Sequence, residues 1–363
     1  MPVRVLVVED SLTVRKRICD VLRSDPEILV VGEAEDGRQG IELCRTLRPD
    51  VITMDMMLPV MTGLAATEYI MAYFPTPILI VSASTNRGEL FRTYDALAAG
   101  AVDVLEKPLG EESDGEWERR LVSTVKLVSR IRVITHPRGR LKSRTAVGER
   151  GTLSPSTSAL SSSPKFQVVA IGASTGGPGA VVDVLGALPA PFPFPVLVVI
   201  HIGDPFGAAF ADWLDQQTPH PARFAKDGEA LVALSGQVIL APPGQHLIVE
   251  GGRLRLTQGA ERHSCRPSVD VLFESLAREY GSACVACLLT GMGRDGAAGL
   301  LSIRQAGGST LAQDEATSVV YGMPREAVVL GAAQRVLPLQ EIGSFLSRLS
   351  SEDGVRETAR SHR

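Results

Sequence analysis

The stretch Ile171-Gly172-Ala173-Ser174-Thr175-Gly176-Gly177-Pro178 decides the fold of the second half of the chain. It follows Gln167–Ile171, an apolar run typical of a β-strand, and it precedes a helical stretch in which Pro178 suits the first turn. Small residues between the two allow a sharp turn. The stretch therefore predicts a strand–turn–helix unit of a parallel α/β sheet.

Similar units recur on both sides of this stretch. The other clear strands of the second half are Val196–Ile200, Val238–Ala241 and Ala283–Leu289, and Gly251-Gly252 predicts a hairpin between Leu247–Glu250 and Arg253–Leu256. The first half has five strand signals, at Val3–Val8, Val30–Gly32, Val51–Met54, Ile78–Val81 and Val102–Leu105. We therefore predict the α/β class: a flavodoxin-like doubly wound domain over 1–125 and a doubly wound parallel-sheet domain over 166–350.

The segment between the two domains, residues 126–165, differs in composition. It holds nine Lys or Arg residues and one acid, Glu149, and eight of the twelve residues from Thr152 to Ser163 are Ser or Thr. Such a sequence cannot bury enough apolar surface to fold, so it predicts a flexible linker. A solvated tether is favoured over contact with nucleic acid or acidic lipid. Residues 351–363 predict a polar tail.

Composition excludes several classes of protein. The 363-residue chain has a net charge of −4 and 5% aromatic residues, which argues against a generally basic DNA-binding protein. Five cysteines do not make a disulfide framework in this length. No apolar run reaches the ~18 residues of a membrane span, and the first residues lack the apolar core of a signal peptide. We expect a cytoplasmic protein with no DNA partner and no membrane insertion.

Five polar residues end strands of the first domain. Glu9 and Asp10 follow the first predicted strand, Asp55 follows the third, and Ser82 and Lys107 follow the fourth and fifth. The carboxyl ends of strands in a doubly wound sheet meet in one crevice. Three carboxylates brought together there repel one another, and Mg²⁺ relieves that repulsion. The pattern predicts a site that holds a phosphoryl group on Asp55.

This domain resembles the receiver domains of bacterial response regulators. The resemblance is carried by Val7-Val8-Glu9-Asp10-Ser11, by Asp50-Val51-Ile52-Thr53-Met54-Asp55 with Pro59 and Gly63, by Val81-Ser82-Ala83, and by Lys107-Pro108 after Gly100-Ala101. It implies that Asp55 accepts phosphate from a histidine kinase and that Glu9, Asp10 and Asp55 hold Mg²⁺. Ser82 would sense the phosphate, and Lys107 would pair with it.

In the second domain, Gly172-Ala173-Ser174-Thr175-Gly176 matches the Gly-x-Ser-x-Gly elbow that exposes a nucleophilic serine. A phosphate-binding P-loop would need lysine where Pro178 stands. A dinucleotide-binding loop would need an acid at the end of the next strand, and His201 stands there instead. The serine elbow is therefore the favoured interpretation.

His201 and Asp295 complete a candidate catalytic triad with Ser174. Ser174 and His201 end neighbouring predicted strands, and Asp295 follows a third strand at the same sheet edge. A lone histidine here is more often structural, and Asp295 alone would be a helix N-terminal acid. Together they predict acyl transfer, with an oxyanion hole formed by backbone N–H groups near Thr175 and Gly176.

The second domain resembles the catalytic domain of the CheB family, chemotaxis response regulators that are protein-glutamate methylesterases. The matching strings are Gly172–Pro178, His201, Ala241-Pro242-Pro243-Gly244 with His246, Arg266–Phe273, Leu289–Gly293 with Asp295-Gly296-Ala297, and Ala312-Gln313-Asp314 with Tyr321–Pro324. The family implies a Ser174–His201–Asp295 triad that needs no cofactor. It also implies methylated chemoreceptors as substrates, and often the deamidation of glutamine side chains.

The sequence departs from the family patterns at five places. Glu9 stands where aspartate is usual, and Val104 stands where receiver domains often have an aromatic switch residue. Ile200 replaces a usual Gln before the histidine, the loop Ile202-Gly203-Asp204-Pro205 differs, and Cys265 occupies a position where His is common. None of these removes a triad residue, but loops carry specificity.

The main hypothesis is a methylesterase gated by phosphorylation, in which the receiver domain covers the esterase cleft until Asp55 is phosphorylated. One alternative is a receiver-gated scaffold that binds receptors without hydrolysis. Another is a DNA-binding response regulator, which only the basic linker supports.

Overall fold

A computed structural model describes residues 1–83, 86–107, 115–131, 133, 166–202 and 206–349. Pro108, the loop 203–205, the linker from 134 onward and the C-terminal tail lie outside the described residues. Among the described helices, none is both long and apolar enough to cross a membrane.

The N-terminal domain is a five-stranded parallel sheet in the order β2-β1-β3-β4-β5, the flavodoxin-like order. Its strands are β1 Val3–Val8, β2 Ile28–Ala34, β3 Val51–Met54, β4 Ile78–Ser82 and β5 Asp103–Glu106. Its helices are α1 Leu12–Arg23, α2 Gly37–Leu47, α3 Gly63–Tyr73, α4 Arg87–Ala98 and α5 Glu116–Val128. The predicted fold of this domain is confirmed, and α5 runs three residues past position 125.

Polar residues begin four of these helices. Ser11, Asp36, Thr62 and Asn86 each accept a hydrogen bond from a backbone N–H of the first turn. These side chains satisfy N–H groups that have no partner within the helix. These caps fix the starts of α1, α2 and α4 a few residues after the preceding strands, whereas a longer loop, residues 55–62, joins β3 to α3.

The C-terminal domain contains a seven-stranded parallel sheet in the order β14-β13-β12-β6-β7-β9-β8. Its strands are β6 Val168–Ala173, β7 Val196–Ile200, β8 Ala222–Phe224, β9 Val238–Leu240, β12 Cys284–Leu288, β13 Ser309–Gln313 and β14 Arg335–Leu337. The predicted hairpin forms separately from β10 His246–Glu250 and β11 Arg253–Thr257, which pair antiparallel. Strands β8, β13 and β14 were not predicted from the sequence.

Six helices accompany this sheet: α6 Gly177–Gly186, α7 Phe210–Gln217, α8 Val269–Tyr280, α9 Ala297–Gln305, α10 Met323–Val329 and α11 Leu339–Leu349. The sheet has an apolar cluster on each face, and Cys284 and Cys287 of β12 belong to different clusters. Parallel strands buried on both faces confirm the predicted doubly wound architecture.

The two domains pack through α4. Tyr94 of α4 lies against the rings of Phe210 and Trp213 of α7, with centroid distances of 5.5 Å in both cases. Gly179 of α6 approaches so close that a Cβ atom there would lie 3.1 Å from the Ala98 carbonyl oxygen. One apolar cluster therefore continues from the first domain into the second.

Candidate active site

The register of β6 and β7 brings Ser174 and His201 together. Ala173 pairs with Ile200, and the His201 N–H donates to the Ala173 carbonyl oxygen at 3.1 Å. Ser174 directly follows β6 and His201 directly follows β7, so the two residues are neighbours at the edge of the sheet. The order in which strands join the sheet reverses at β6, because β7 lies on one side of it and β12 on the other. Such a switch point is where open α/β sheets bind ligands.

Asp295 follows β12 and contacts His201 from the other side. Its Oδ2 atom lies 2.9 Å from His201 Nε2. Oδ2 also accepts from the Val269 N–H at 2.7 Å, and Oδ1 accepts from Ser268 Oγ at 2.7 Å and from the Asp270 N–H at 3.1 Å. Burial alone would raise the pKa of Asp295, but the hydrogen bond and charge of His201, followed by the donors Ser268 and Val269, outweigh burial and hold the pKa below its usual value. Asp295 is therefore a fixed anion.

The donors to Asp295 belong to the start of α8. Ser268 is the N-cap of this helix. The sequence suggested that Asp295 alone would be a helix N-terminal acid, and its carboxylate indeed binds a helix N-terminus. That helix is α8, however, whereas the helix that follows Asp295 is α9. Unpaired N–H groups at a helix start favour a negative charge.

His201 carries a perturbed imidazole. Burial favours its neutral form, but the hydrogen bond to Asp295 and the contact with Cys265 outweigh burial and raise the pKa to about 9. Its Nδ1 atom lies 3.8 Å from Cys265 Sγ. Within the described residues, the structure has no hydrogen bond between His201 and the Ser174 hydroxyl. Nucleophile and candidate base are thus neighbours on the sheet edge without being connected.

The loop that carries Ser174 is held by Thr290. The Ser174 N–H donates to the Thr290 carbonyl oxygen at 3.0 Å, and the Thr290 hydroxyl donates to the Thr175 carbonyl oxygen at 2.9 Å. Gln313 in turn accepts the Thr290 N–H at 2.7 Å. Thr290 and Gln313 lie in motifs that the sequence singled out, but the sequence assigned them no role.

The turn after Ser174 leaves two donors available. Gly176 has a φ of 76°, a left-handed conformation that favours glycine. Across the described part of the chain, the N–H groups of Thr175 and Gly176 have no hydrogen-bond partner. Both point from the start of α6, where a developing negative charge is stabilised. They are the two groups that the sequence suggested for an oxyanion hole.

The first domain covers this site. Ser174, Thr175, Gly176 and His201 line one side of a cleft of about 220 Å³. The other side is formed by α4, β5 and α5, through Leu97, Val102, Asp103, Val104, Leu105, Arg120 and Thr124. Val104, at the position of the usual aromatic switch residue, faces this cleft.

Polar contacts also join the domains beside the cleft. The buried Tyr94 hydroxyl donates to the Phe206 carbonyl oxygen, and Trp213 Nε1 donates to Asp95 Oδ1 at 2.8 Å. Arg87 and Asp212 form an ion pair at 3.0 Å in which both side chains are exposed. The buried contacts carry more weight, because exposed ion pairs contribute little.

The strand-end residues of the first domain converge as predicted. Lys107 Nζ lies 2.8 Å from Glu9 Oε2 and 3.1 Å from Asp55 Oδ2. Burial raises the pKa of Glu9 to about 7 and also raises that of Asp55, although Lys107 acts against both shifts. The Lys107 pKa would be lowered by burial, but the two acids outweigh this and raise it.

This pocket has unsatisfied polar atoms. Asp55 Oδ1 and Ser82 Oγ are buried and have no hydrogen-bond partner among the described residues. Glu9, the exposed Asp10 and Asp55 each offer a carboxylate oxygen, and these oxygens lie within 4.8 Å of one another. Oxygen donors at this spacing suit Mg²⁺. The residues therefore fit a hard divalent cation beside an oxygen-rich group on Asp55.

Fold and site define a response regulator in which a receiver domain precedes an ester hydrolase domain. The receiver-domain family model matches residues 5–113, and the CheB methylesterase family model matches residues 169–346. The chain belongs to the CheB methylesterase family.

Two relatives match over almost their full length. Protein-glutamate methylesterase/protein-glutamine glutaminase 2 of Anaeromyxobacter dehalogenans is 45% identical over 349 residues, 96% of this chain and 97% of the relative. The protein-glutamate methylesterase/protein-glutamine glutaminase of Nitrosospira multiformis is 42% identical over 97% of this chain and 98% of its own. The crystal structure of the Thermotoga maritima CheB methylesterase catalytic domain is 35% identical, covering 51% of this chain and 98% of that domain, with a TM-score of 0.48.

Proposed function

We propose that this chain is a phosphorylation-activated protein-glutamate methylesterase that demethylates chemoreceptors and also deamidates their glutamine side chains. The supporting observation is the strand-edge group of Ser174, His201 and Asp295, which lies under a receiver domain that carries Asp55. The names of its relatives, protein-glutamate methylesterase/protein-glutamine glutaminase, support methylated glutamate and glutamine side chains of proteins as the groups acted on. A histidine kinase of the chemosensory pathway would supply the phosphoryl group.

The chemistry follows a serine hydrolase scheme. His201 takes the proton of Ser174, and Ser174 Oγ attacks the γ-carbonyl carbon of the methyl ester. The N–H groups of Thr175 and Gly176 hold the resulting oxyanion. His201 then gives its proton to the methoxide, and methanol leaves. Water hydrolyses the acyl-enzyme with His201 again as base. With a glutamine side chain the leaving group is ammonia.

Asp295 has a positioning role in this scheme. It fixes the His201 ring through Nε2, so that Nδ1 remains as the nitrogen for proton transfer. It also stabilises the imidazolium that forms. Its own hydrogen bonds to the start of α8 keep the carboxylate ionised and in place.

Two properties of the described arrangement fit a resting state. Among the described residues, His201 has no hydrogen bond to the Ser174 hydroxyl and contacts Asp295 and Cys265 instead, so the nucleophile is not connected to its base. In addition, the first domain forms one wall of the cleft. A change that moves this wall would admit a receptor segment and free the histidine to turn toward Ser174.

Phosphorylation of Asp55 would supply that change. Glu9, Asp10 and Asp55 would hold Mg²⁺, which neutralises charge on the incoming phosphoryl group. Ser82 Oγ, now without a partner in the described residues, would bind a phosphoryl oxygen, and Lys107 would pair with another. Because Val104 replaces the usual aromatic switch, the signal would pass through the packing of α4 and β5 against the second domain.

The test is the release of methanol from receptor membranes that carry labelled methyl esters. Wild type and Ser174→Ala are compared with and without acetyl phosphate. We expect release from wild type alone and a higher rate with acetyl phosphate. No release by wild type in either state, with receptors of the same organism, would contradict the esterase function and favour a receptor-binding scaffold.

A further inference from the structure

A thiol lies beside the active-site histidine on a tight turn. The Arg262 N–H donates to the Cys265 carbonyl oxygen at 3.1 Å, and the Cys265 N–H donates to the Arg262 carbonyl oxygen at 2.9 Å. The two residues between them, His263 and Ser264, have φ values of 52° and 59°. This paired turn fixes the backbone of Cys265, and its Sγ atom lies 3.8 Å from His201 Nδ1.

The facing atoms are both electron-pair donors. Because the ionised Asp295 accepts from Nε2, the proton of neutral His201 lies on Nε2, and Nδ1 presents its lone pair to the sulfur. The thiol proton has another acceptor, the His263 carbonyl oxygen at 3.4 Å. Metal-binding histidines characteristically donate their second N–H to a carboxylate in this manner.

We propose that Cys265 Sγ and His201 Nδ1 chelate Zn²⁺, with Asp295 as the carboxylate that orients the histidine, and that the bound metal blocks the esterase. Zn–S and Zn–N bonds of about 2.3 and 2.1 Å would span the 3.8 Å gap at an angle of about 120°, close to tetrahedral. Water or substrate oxygen completes the coordination. His201, Cys265 and Asp295 have ligand atoms within 4.8 Å of one another.

The other two candidate clusters in the described residues fit Zn²⁺ less well. Glu9, Asp10 and Asp55 offer only carboxylate oxygens, which suit Mg²⁺. The cluster of His263, Asp270 and Asp295 already contains cations: Arg262 Nε lies 3.6 Å from Asp270 Oδ2, and Arg294 Nε donates to His263 Nδ1 at 3.2 Å. Among these three clusters, only the one with Cys265 combines a thiol with an imidazole nitrogen that faces no cation.

The inhibitory consequence rests on the proposed function, whereas the binding of metal does not. His201 Nδ1 is the nitrogen that takes the proton of Ser174 in the proposed scheme. A metal bound there removes the base. Binding is therefore measured first, on its own, and inhibition second.

The binding experiment uses metal-free full-length protein in millimolar Mg²⁺, which occupies the carboxylate cluster. Co²⁺ is titrated in and the thiolate-to-cobalt charge-transfer band is recorded, followed by competition with Zn²⁺. We expect one Co²⁺ per chain with a thiolate band that Zn²⁺ removes. The other cysteines, Cys19, Cys44, Cys284 and Cys287, are buried, so the band reports on Cys265.

Two variants separate the candidate ligands. Cys265→Ser should abolish the band and weaken Zn²⁺ binding by about 100-fold, because a hydroxyl is a poor zinc ligand. His263→Gln is the matched control from the competing cluster and should retain the band. An absent band in wild type, or an equal Zn²⁺ affinity in Cys265→Ser, would overturn the proposal.

The activity experiment measures methanol release at buffered Zn²⁺, relative to the metal-free rate of each variant. Wild type and His263→Gln should lose activity over the Zn²⁺ range that displaces Co²⁺, and Cys265→Ser should not. Zinc binding at Cys265 without inhibition would overturn the blocking role. If metal-free wild type releases no methanol, the proposed esterase function fails, and the cobalt band still decides the metal site.

Discussion

The two strand-edge sites of this chain treat a buried carboxylate in opposite ways. Asp295 accepts four hydrogen bonds, and both of its oxygens are satisfied. Asp55 has one oxygen without a partner among the described residues, and its other oxygen lies beside Lys107. Burial outweighs the donors at Asp55 and raises its pKa, whereas the donors outweigh burial at Asp295 and lower it.

This contrast indicates different roles. Unsatisfied buried oxygens are costly, so the pocket around Asp55 is complete only when it binds a further group. Asp295 needs no such group, because its four hydrogen bonds already hold the carboxylate ionised and in one position. What the second site lacks is the connection between His201 and Ser174. Under the proposed function, the Asp55 pocket would gain a phosphoryl group with Mg²⁺, and the second site would gain a contact between His201 and Ser174.

The largest effect is expected from Ser174→Ala. Loss of the nucleophile should reduce methanol release by about 10⁶-fold, as triad serines do elsewhere. Asp55 and Ser174 belong to different domains, so labelled acetyl phosphate should still phosphorylate the variant at the wild-type rate. Methanol release above a tenth of the wild-type rate would show that another residue is the nucleophile.

Asp295→Asn tests the role of the ionised Asp295 carboxylate beside His201. We expect a loss of about 10³–10⁴-fold in kcat/KM, because the imidazolium loses its counter-charge. Wild-type kcat/KM should rise with pH through about 9, the His201 pKa, since only neutral imidazole is a base. In Asp295→Asn, burial is opposed by no carboxylate and lowers the His201 pKa, so the rise of kcat/KM should occur at lower pH. A rise of kcat/KM over the same pH range in both proteins would show that Asp295 does not set the His201 pKa.

The same pKa has a consequence for stability. The folded-state pKa of His201, about 9, is above the usual value of 6.5. Its stabilising contribution is thus fully present below pH 6.5 and is lost as pH rises through about 9. The loss is measured as the fall in the Tm of the wild type between pH 6.5 and about 9, and we expect a smaller fall in Asp295→Asn, the control.

Lys107→Met tests how much the lysine stabilises the buried carboxylates of Glu9 and Asp55. It leaves Glu9 and Asp55 buried without a cation, so the free energy of unfolding should fall by about 3 kcal/mol in urea denaturation. Mg²⁺ should restore more stability to the variant than to the wild type. Lys126→Met, which removes a surface lysine paired with Asp25 and Glu27, is the control with a small effect. Equal losses in both variants would contradict the account.

The smallest effect is expected at the domain contact. Tyr94→Phe leaves the Phe206 carbonyl oxygen unpaired in the covered state, at a cost of about 1 kcal/mol, so basal methanol release should rise about 5-fold. Arg87→Ala removes only an exposed ion pair and should change the rate less than about 2-fold. If Tyr94→Phe leaves the basal rate unchanged, the hydrogen bond between Tyr94 and Phe206 does not hold the first domain over the site.

Much of the fold was predictable because strands buried on both faces leave clear apolar runs. β1, β3 and β7 have the predicted bounds. Strands β8 and β14 have three residues each and lie at the edges of the sheet, so little sequence records them. β13 includes Ser309, Thr310 and Gln313, and its buried polar groups conceal the apolar pattern.

The candidate site was predictable only in part. Ser174 and His201 directly follow neighbouring strands, and Asp295 follows β12 after the loop 289–294, so sheet topology predicts that all three lie at one edge. The support of Asp295 by Ser268 comes from residues 27 positions apart, and the Cys265–His201 contact spans 64 positions. Such contacts depend on how loops fold back over the sheet edge, and no local pattern encodes them.

The central claim is that Asp55 controls access to Ser174. It is tested most directly by methanol release from methylated receptor membranes, with and without acetyl phosphate, for wild type and Asp55→Asn. The account predicts that acetyl phosphate raises the wild-type rate and leaves the Asp55→Asn rate at its basal value. Equal stimulation of both proteins, or none in a wild type shown to be phosphorylated, would contradict it.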